Sequence, residues 1–341
     1  MTALTVSGDL VHYEVLGRGR PVILLHGMLG SWRYWIPTIQ FLQQSFRLYA
    51  LDLYGFGDSA KKPTKYSLEH QIALVEDFMS QLGVEKCALI GHDIGAIVAA
   101  EFARRYPNRV PRLMIVSGPL YDPGDLDRRV PVSRVLLDAR PALPKPEEQD
   151  FNAPTVMSAS AAMRAALREA AASRKPGQSP ATAPPPDVTM LRKPTADLPI
   201  FNPFKDLLAG GMEPLLARSF KRGEPNYDKL SIEVARSDPR AAPALTDTFD
   251  AGSLLDTFRL LPMPTVIIHG VDDSVTPAPN EAVLNYLTVD KEQSLLAILL
   301  PTIRHFPMLE EARFHPLVKE CLDASDVSKI ELKERWNRRS R

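Results

Sequence analysis

Six short runs, from Val22 to Leu25, Arg47 to Leu53, Lys86 to Ile90, Arg112 to Val116, Thr265 to His269 and Leu295 to Leu300, are apolar through most of their length. A strand with one wet face alternates apolar and polar residues, so runs of this kind predict strands covered on both faces. Helical segments separate them. Ser67 to Leu82 opens at a Ser-x-x-His cap position, and Ile94 to Tyr106 is closed by Pro107. Strand alternating with helix predicts one mostly parallel sheet with right-handed crossovers and helices on its faces. Ahead of the first run, residues 3 to 7 and 10 to 15 alternate as hairpin strands do, turning through Ser7-Gly8-Asp9.

The alternation stops between residues 120 and 250. That interval opens with Gly118-Pro-Leu-Tyr-Asp-Pro-Gly124 and holds an alanine-rich helical stretch, Pro154 to Arg174. A proline-rich segment, Pro176 to Pro194, follows and reads as flexible. Further helical stretches cover Phe204 to Phe220 and Asp228 to Arg236. A helical insertion between two strands of a parallel sheet falls over the strand ends, where such sheets put their ligands. The expected organisation is a core of residues 1–120 and 250–323, a helical lid of residues 121–249 with a flexible segment near 175–195, and a basic tail, 324–341. The six basic residues between Lys329 and Arg341, with Trp336 among them, read as a solvated end.

Composition narrows the partner. Lys plus Arg and Asp plus Glu balance at 41 each, so no global charge draws nucleic acid or an acidic membrane surface, and a small molecule is expected. Cys87 and Cys321 supply neither a disulfide framework nor metal-ligand spacing, which suits a reducing compartment. No basic region followed by an apolar stretch opens the chain, and no run of about 18 apolar residues occurs. A cytoplasmic protein without membrane insertion, working without metal or organic cofactor, is the expectation; the sequence is silent on oligomeric state.

The chemistry concentrates at turns that follow the apolar runs. Gly91-His-Asp-Ile-Gly95 has the spacing of a nucleophile elbow, where glycines let the backbone turn so sharply that the middle residue stands above the sheet. The middle residue is Asp93, where serine or cysteine is usual. Leu24-Leu-His-Gly-Met-Leu-Gly-Ser31 and Asp52-Leu-Tyr-Gly-Phe-Gly-Asp-Ser59 follow two earlier runs, Gly270-Val-Asp-Asp-Ser-Val-Thr-Pro277 follows a late one, and Arg304-His-Phe-Pro-Met-Leu-Glu-Glu311 follows the last.

In this order the motifs resemble the α/β-hydrolase fold over residues 1–120 and 250–323, an eight-stranded, mostly parallel sheet flanked by helices. The resemblance implies Asp93 as nucleophile, His305 as base and Asp273, in preference to Asp272, as the acid that orients it. It also implies an oxyanion hole from the backbone N–H groups of Met28 and Ile94, with His26, His92 and His269 structural. A carboxylate nucleophile is already ionised at neutral pH and displaces a leaving group from saturated carbon. The resulting alkyl ester is then attacked by water that His305 activates. That logic belongs to the epoxide hydrolases and the haloalkane and haloacetate dehalogenases. Epoxide opening needs a proton donor, for which the insertion offers Tyr121 and Tyr227. The dehalogenases favour tryptophan or arginine after the nucleophile, and Ile94 stands there instead. Epoxide hydrolysis of an apolar molecule is therefore the first expectation and dehalogenation the second. His-Gly-Met-Leu-Gly-Ser, with Trp32 and Trp35 behind it as candidate pocket lining, looks more like serine-type esterases. An esterase-like enzyme and a non-catalytic ligand-binding protein complete the alternatives.

Overall fold

A computed structural model describes residues 2–129, 200–289, 291 and 294–330. The alanine-rich stretch, the proline-rich segment near 175–195 and the tail beyond residue 330 lie outside the described residues.

The strands are β1 (Thr2–Val6), β2 (Asp9–Gly17), β3 (Arg20–Leu25), β4 (Phe46–Leu51), β5 (Ala88–His92), β6 (Arg112–Val116), β7 (Thr265–Gly270) and β8 (Leu295–Leu300). They form one sheet of eight in the order β1-β2-β4-β3-β5-β6-β7-β8. The β1–β2 hairpin and the β2–β4 pair are antiparallel, and every other pair is parallel. Apolar runs become the central strands because only there are both faces covered. Every residue of β6 and β7 is buried, and each fully buried Leu, Ile or Val side chain contributes about 1.5–3 kcal/mol relative to exposure.

The flanking helices are α1 (Ile36–Leu42), α2 (Leu68–Gln81), α3 (Ile94–Arg105), α9 (Glu281–Thr288) and α10 (Glu311–Asp323), with five more between β6 and β7 given below. α3 buries Ile94, Ala96, Ile97, Val98, Ala99, Ala100, Phe102 and Ala103. A helix enclosed on nearly all sides needs small residues where it meets the sheet and other helices, which explains its alanines. Arg104 and Arg105 in its last turn complement the helix dipole, and Pro107 stops it. At the start of α2, the Ser67 hydroxyl pairs with the His70 ring nitrogen Nδ1 at 2.7 Å and caps no backbone N–H. The cap position stands where the sequence placed it, but the side chain satisfies its neighbour instead.

Between β6 and β7 the described chain is helical: α4 (Phe204–Leu207), α5 (Met212–Ser219), α6 (Pro225–Arg236), α7 (Ala241–Thr246) and α8 (Ala251–Leu260). The single stretch expected over Phe204 to Phe220 is two helices, because Gly211 adopts φ +79° and breaks the path. α8 returns to pack on α3.

Candidate active site

β5 ends at His92 and α3 begins at Ile94, so Asp93 alone makes the turn between them. Its backbone sits at φ 51° and ψ −121°, a conformation that costs a non-glycine residue about 1–3 kcal/mol. The turn closes only because its flanks lack side chains: a Cβ at Gly95 would lie 2.5 Å from the His26 carbonyl oxygen, and one at Gly91 would collide with the Gly95 carbonyl. Asp93 is wholly buried and makes no capping hydrogen bond to its own helix. Its Oδ2 instead accepts the Met28 N–H at 2.8 Å. The N–H of Ile94 also favours the charged carboxylate. Oδ1 has no hydrogen-bond partner among the described residues.

His305, in the loop after β8, presents Nε2 at 4.0 Å from Asp93 Oδ2 and Nδ1 at 2.9 Å from Asp273 Oδ2. The carboxylate of Asp273 is fixed by the turn after β7. Oδ1 accepts the N–H groups of Val275 (2.8 Å) and Thr276 (3.0 Å), and the Thr276 hydroxyl adds a third bond to Oδ2 at 3.0 Å. His269 Nε2 lies 3.5 Å from that same oxygen while bonding the Thr276 carbonyl at 2.8 Å. Asp272, the neighbouring candidate, is exposed. The structure thus brings Asp93, His305 and Asp273 together, with the two backbone N–H groups named from the sequence against the carboxylate.

Burial and charge set the protonation of the three. Loss of solvent pushes the Asp93 carboxyl up to about 6, opposed by the charge of His305 and the two backbone N–H groups. For Asp273, burial acts in the same direction but the charge of His305 and the hydrogen bonds from both histidines outweigh it, so its pKa falls well below the usual carboxylate range. Burial lowers His305, yet the charge and hydrogen bond of Asp273 and the charge of Asp93 carry it above an ordinary histidine.

Of the two candidate tyrosines, Tyr121 is the one on which the charges of the site carboxylates act. Burial raises its phenol pKa and the charges of Asp93 and Asp273 raise it further, while its ring stands edge-on to Phe201, Phe204 and Phe249. Its hydroxyl has no hydrogen-bond partner among the described residues. Tyr227, on α6, donates to Glu213 at 3.4 Å. Trp35 is a core residue, against Phe314 and His92, and Trp32 packs on the His12 ring under Arg33.

His26 props its own loop: Nδ1 donates to the Gly27 carbonyl at 2.8 Å and Nε2 accepts the Leu53 N–H at 3.0 Å. Burial lowers its pKa, keeping it neutral. Among the described residues, His12, Asp52 and Asp58 bring possible metal-ligand atoms within 4.8 Å of one another. Their carboxylates are already engaged: Asp52 accepts the N–H groups of Trp32 and Asp58, and Asp58 holds Arg33 at 2.6 Å.

Three participants were not evident in the sequence. Thr276 was legible in principle, since Asp-x-x-Thr before Pro277 is a turn sequence whose side chains face each other. Tyr34 and Glu233 gave no such signal. Tyr34 reaches back to the His-Gly turn, and Glu233 crosses from α6 to accept the Ser31 hydroxyl at 2.6 Å and Arg33 at 3.1 Å.

Comparison with known proteins agrees with this fold. A family model described as alpha/beta hydrolase fold matches residues 20–286. A soluble epoxide hydrolase of Corynebacterium sp. (strain C12) is 41% identical over 113 residues, 33% of this chain and 39% of the relative. Epoxide hydrolase 4 of Mus musculus is 37% identical over 117 residues, 33% of each. The matched segment thus spans well under half the length of these curated relatives. Among solved structures, a hydrolase from Pseudomonas aeruginosa PA01 superposes with a TM-score of 0.58 at 19% identity, covering 95% of this chain and 98% of that one. A likeness of that kind speaks to the fold.

Proposed function

The chain belongs to the α/β-hydrolase fold family, and on that premise we propose that it hydrolyses epoxides of apolar small molecules through an ester of Asp93. The observation that carries the reading is the unequal treatment of the two Asp93 oxygens. Oδ2 is held by the Met28 N–H, and Oδ1 is buried without a partner, a nucleophile kept free.

Oδ1 attacks a ring carbon, the C–O bond of the epoxide breaks, and the alkoxide takes a proton from a nearby acid. Tyr121 fits that role, because its phenol feels the charge of Asp93 and has no other partner among the described residues. The attack also neutralises Asp93, and with it one of the influences that raise the His305 pKa. Ester formation therefore eases the imidazole towards its neutral, basic form. Neutral His305 removes a proton from water, the hydroxide adds to Asp93 Cγ, and the negative charge gathers on Oδ2 against Met28 and Ile94. Asp273 stabilises the imidazolium. The tetrahedral intermediate collapses by breaking the Cγ–Oδ1 bond, and the departing Oδ1 takes the proton of the new carboxyl hydroxyl. The diol thus leaves with Oδ1, a water oxygen remains in the carboxylate, and the proton held by His305 returns through solvent to the acid that protonated the alkoxide.

Two measurements test the proposal. Single turnover in heavy-oxygen water should leave the label in the Asp93 peptide; an unlabelled peptide after demonstrated turnover sinks the covalent route. His305→Gln should trap the ester, visible as a mass gain equal to the whole epoxide. A gain equal to a haloalkane minus halide, with epoxides inert, would assign dehalogenation instead.

A further inference from the structure

We propose that Tyr34 and His92 form a positioning relay that fastens the oxyanion-hole turn to the histidine base, so that both are in place when water attacks the ester. The proposal rests on the covalent reading given above and concerns two residues with no part in bond making.

The hydrogen-bond directions follow from elementary donor and acceptor counting. His92 Nε2 lies 2.8 Å from the His305 carbonyl oxygen, which can only accept, so Nε2 carries the hydrogen. A neutral ring then presents Nδ1 as a bare lone pair, and Tyr34 Oη stands 2.9 Å from it. The phenol therefore donates to Nδ1. Its oxygen accepts the Gly27 N–H at 2.5 Å. The path runs unbroken from the Gly27 N–H through Tyr34 and His92 to the backbone of His305. Gly27 precedes Met28, whose N–H holds Asp93 Oδ2.

The surroundings keep this path in one state. His92 is fully buried, and burial together with the neighbouring His305 charge holds its pKa well below that of an ordinary histidine. It remains neutral while His305, whose ring centroid is 4.7 Å away, gains and loses its proton. Tyr34 is 5% exposed, wedged edge-on between the rings of His92 and Phe306. Burial also raises its own phenol, so it stays a donor across the working range.

The two half-reactions need this brace unequally. During alkylation Asp93 loses charge, and a slack Met28 N–H does not hinder the attack. During ester hydrolysis the charge returns to Oδ2 while His305 must aim at a water, so misplacement of either group raises that barrier selectively.

The experiment is stopped-flow and quenched-flow mass spectrometry on Tyr34→Phe and wild type with styrene oxide. Expected for the variant is ester formation within about threefold of wild type, ester hydrolysis slowed at least tenfold, and alkyl-enzyme as the dominant species in the steady state. Loss of folded protein alone would lower both steps by a common factor, and that result, like unchanged hydrolysis, overturns the relay. A wild-type enzyme that forms no ester defeats the covalent reading itself. Should Tyr34→Phe not fold, ¹⁵N-histidine NMR of the wild type decides: His92 neutral with hydrogen on Nε2 from pH 6 to 8 supports the relay, and the Nδ1–H form or a protonated ring overturns it.

Discussion

Asp93 combines two costs in one residue, a backbone outside the usual regions and a charge buried where solvent cannot reach it. The pKa of about 6, against about 3.9 unfolded, means that the folded state binds the proton more tightly. Folding stability is therefore lost as pH rises from 4 through 6, and the ionised group works against the fold at neutral pH. Asp93→Asn should raise stability by about 3 kcal/mol at pH 7.5 and by little at pH 4, read from denaturant melts at the two values. No gain at pH 7.5 would mean that the N–H groups of Met28 and Ile94 already compensate the buried charge. The same residue loses activity as it protonates, so turnover should fall below about pH 6. Tyr121 and Tyr227 separate at this scale too. Tyr121→Phe should slow ester formation by 10²-fold or so, the usual scale for a general acid, whereas Tyr227→Phe should leave it unchanged. Equal effects in rapid-mixing assays would remove Tyr121 from the role of acid. Sequence alone had treated both tyrosines alike, because the distance from Tyr121 to the carboxylates is set by how the chain leaves β6, and no local pattern encodes that.

At the scale of elements, α6 is tied to the turn after β3 by Glu233, which meets both the Ser31 hydroxyl and Arg33; Arg33 in turn holds Asp58 after β4. Glu233 is 7% exposed, and removing one partner of a mostly buried charged pair costs more than losing a surface ion pair. Glu233→Ala should lower stability by about 1–3 kcal/mol and raise the KM for an epoxide more than it lowers kcat, since α6 would hold its place less firmly over the strand ends. Unaltered KM with a lowered kcat would show that the contact acts on the chemistry instead. Helices and strands themselves were largely readable: the six apolar runs became β3 to β8, and the ends moved by a residue or two. The described helices between β6 and β7 were read less well. Its expected helix over Phe204 to Phe220 is divided at Gly211, and contacts such as Glu233 to Ser31 span some two hundred residues, beyond the reach of periodicity.

Across the whole molecule, the site is an assembly of strand ends. Met28 follows β3, Asp93 follows β5, Asp273 follows β7 and His305 follows β8, and these strands lie among the five parallel neighbours that run from β3 to the β8 edge of the sheet. The motifs put these residues at strand ends because each belongs to a turn whose glycine, histidine or proline content is required locally. The pairing of their side chains was legible only through the resemblance to a known architecture. No described helix is long and apolar enough to cross a membrane.

β6 and β7 are neighbours in the sheet although the chain leaves one at Val116 and enters the other at Thr265. The entropy of closing so long an excursion grows only with the logarithm of its length, so doubling it adds about 0.6 kcal/mol. A single strand pair therefore anchors a segment whose size is nearly free to drift. Such a junction lets the chain between β6 and β7 change in length while the strand ends that carry Met28, Asp93, Asp273 and His305 keep their register.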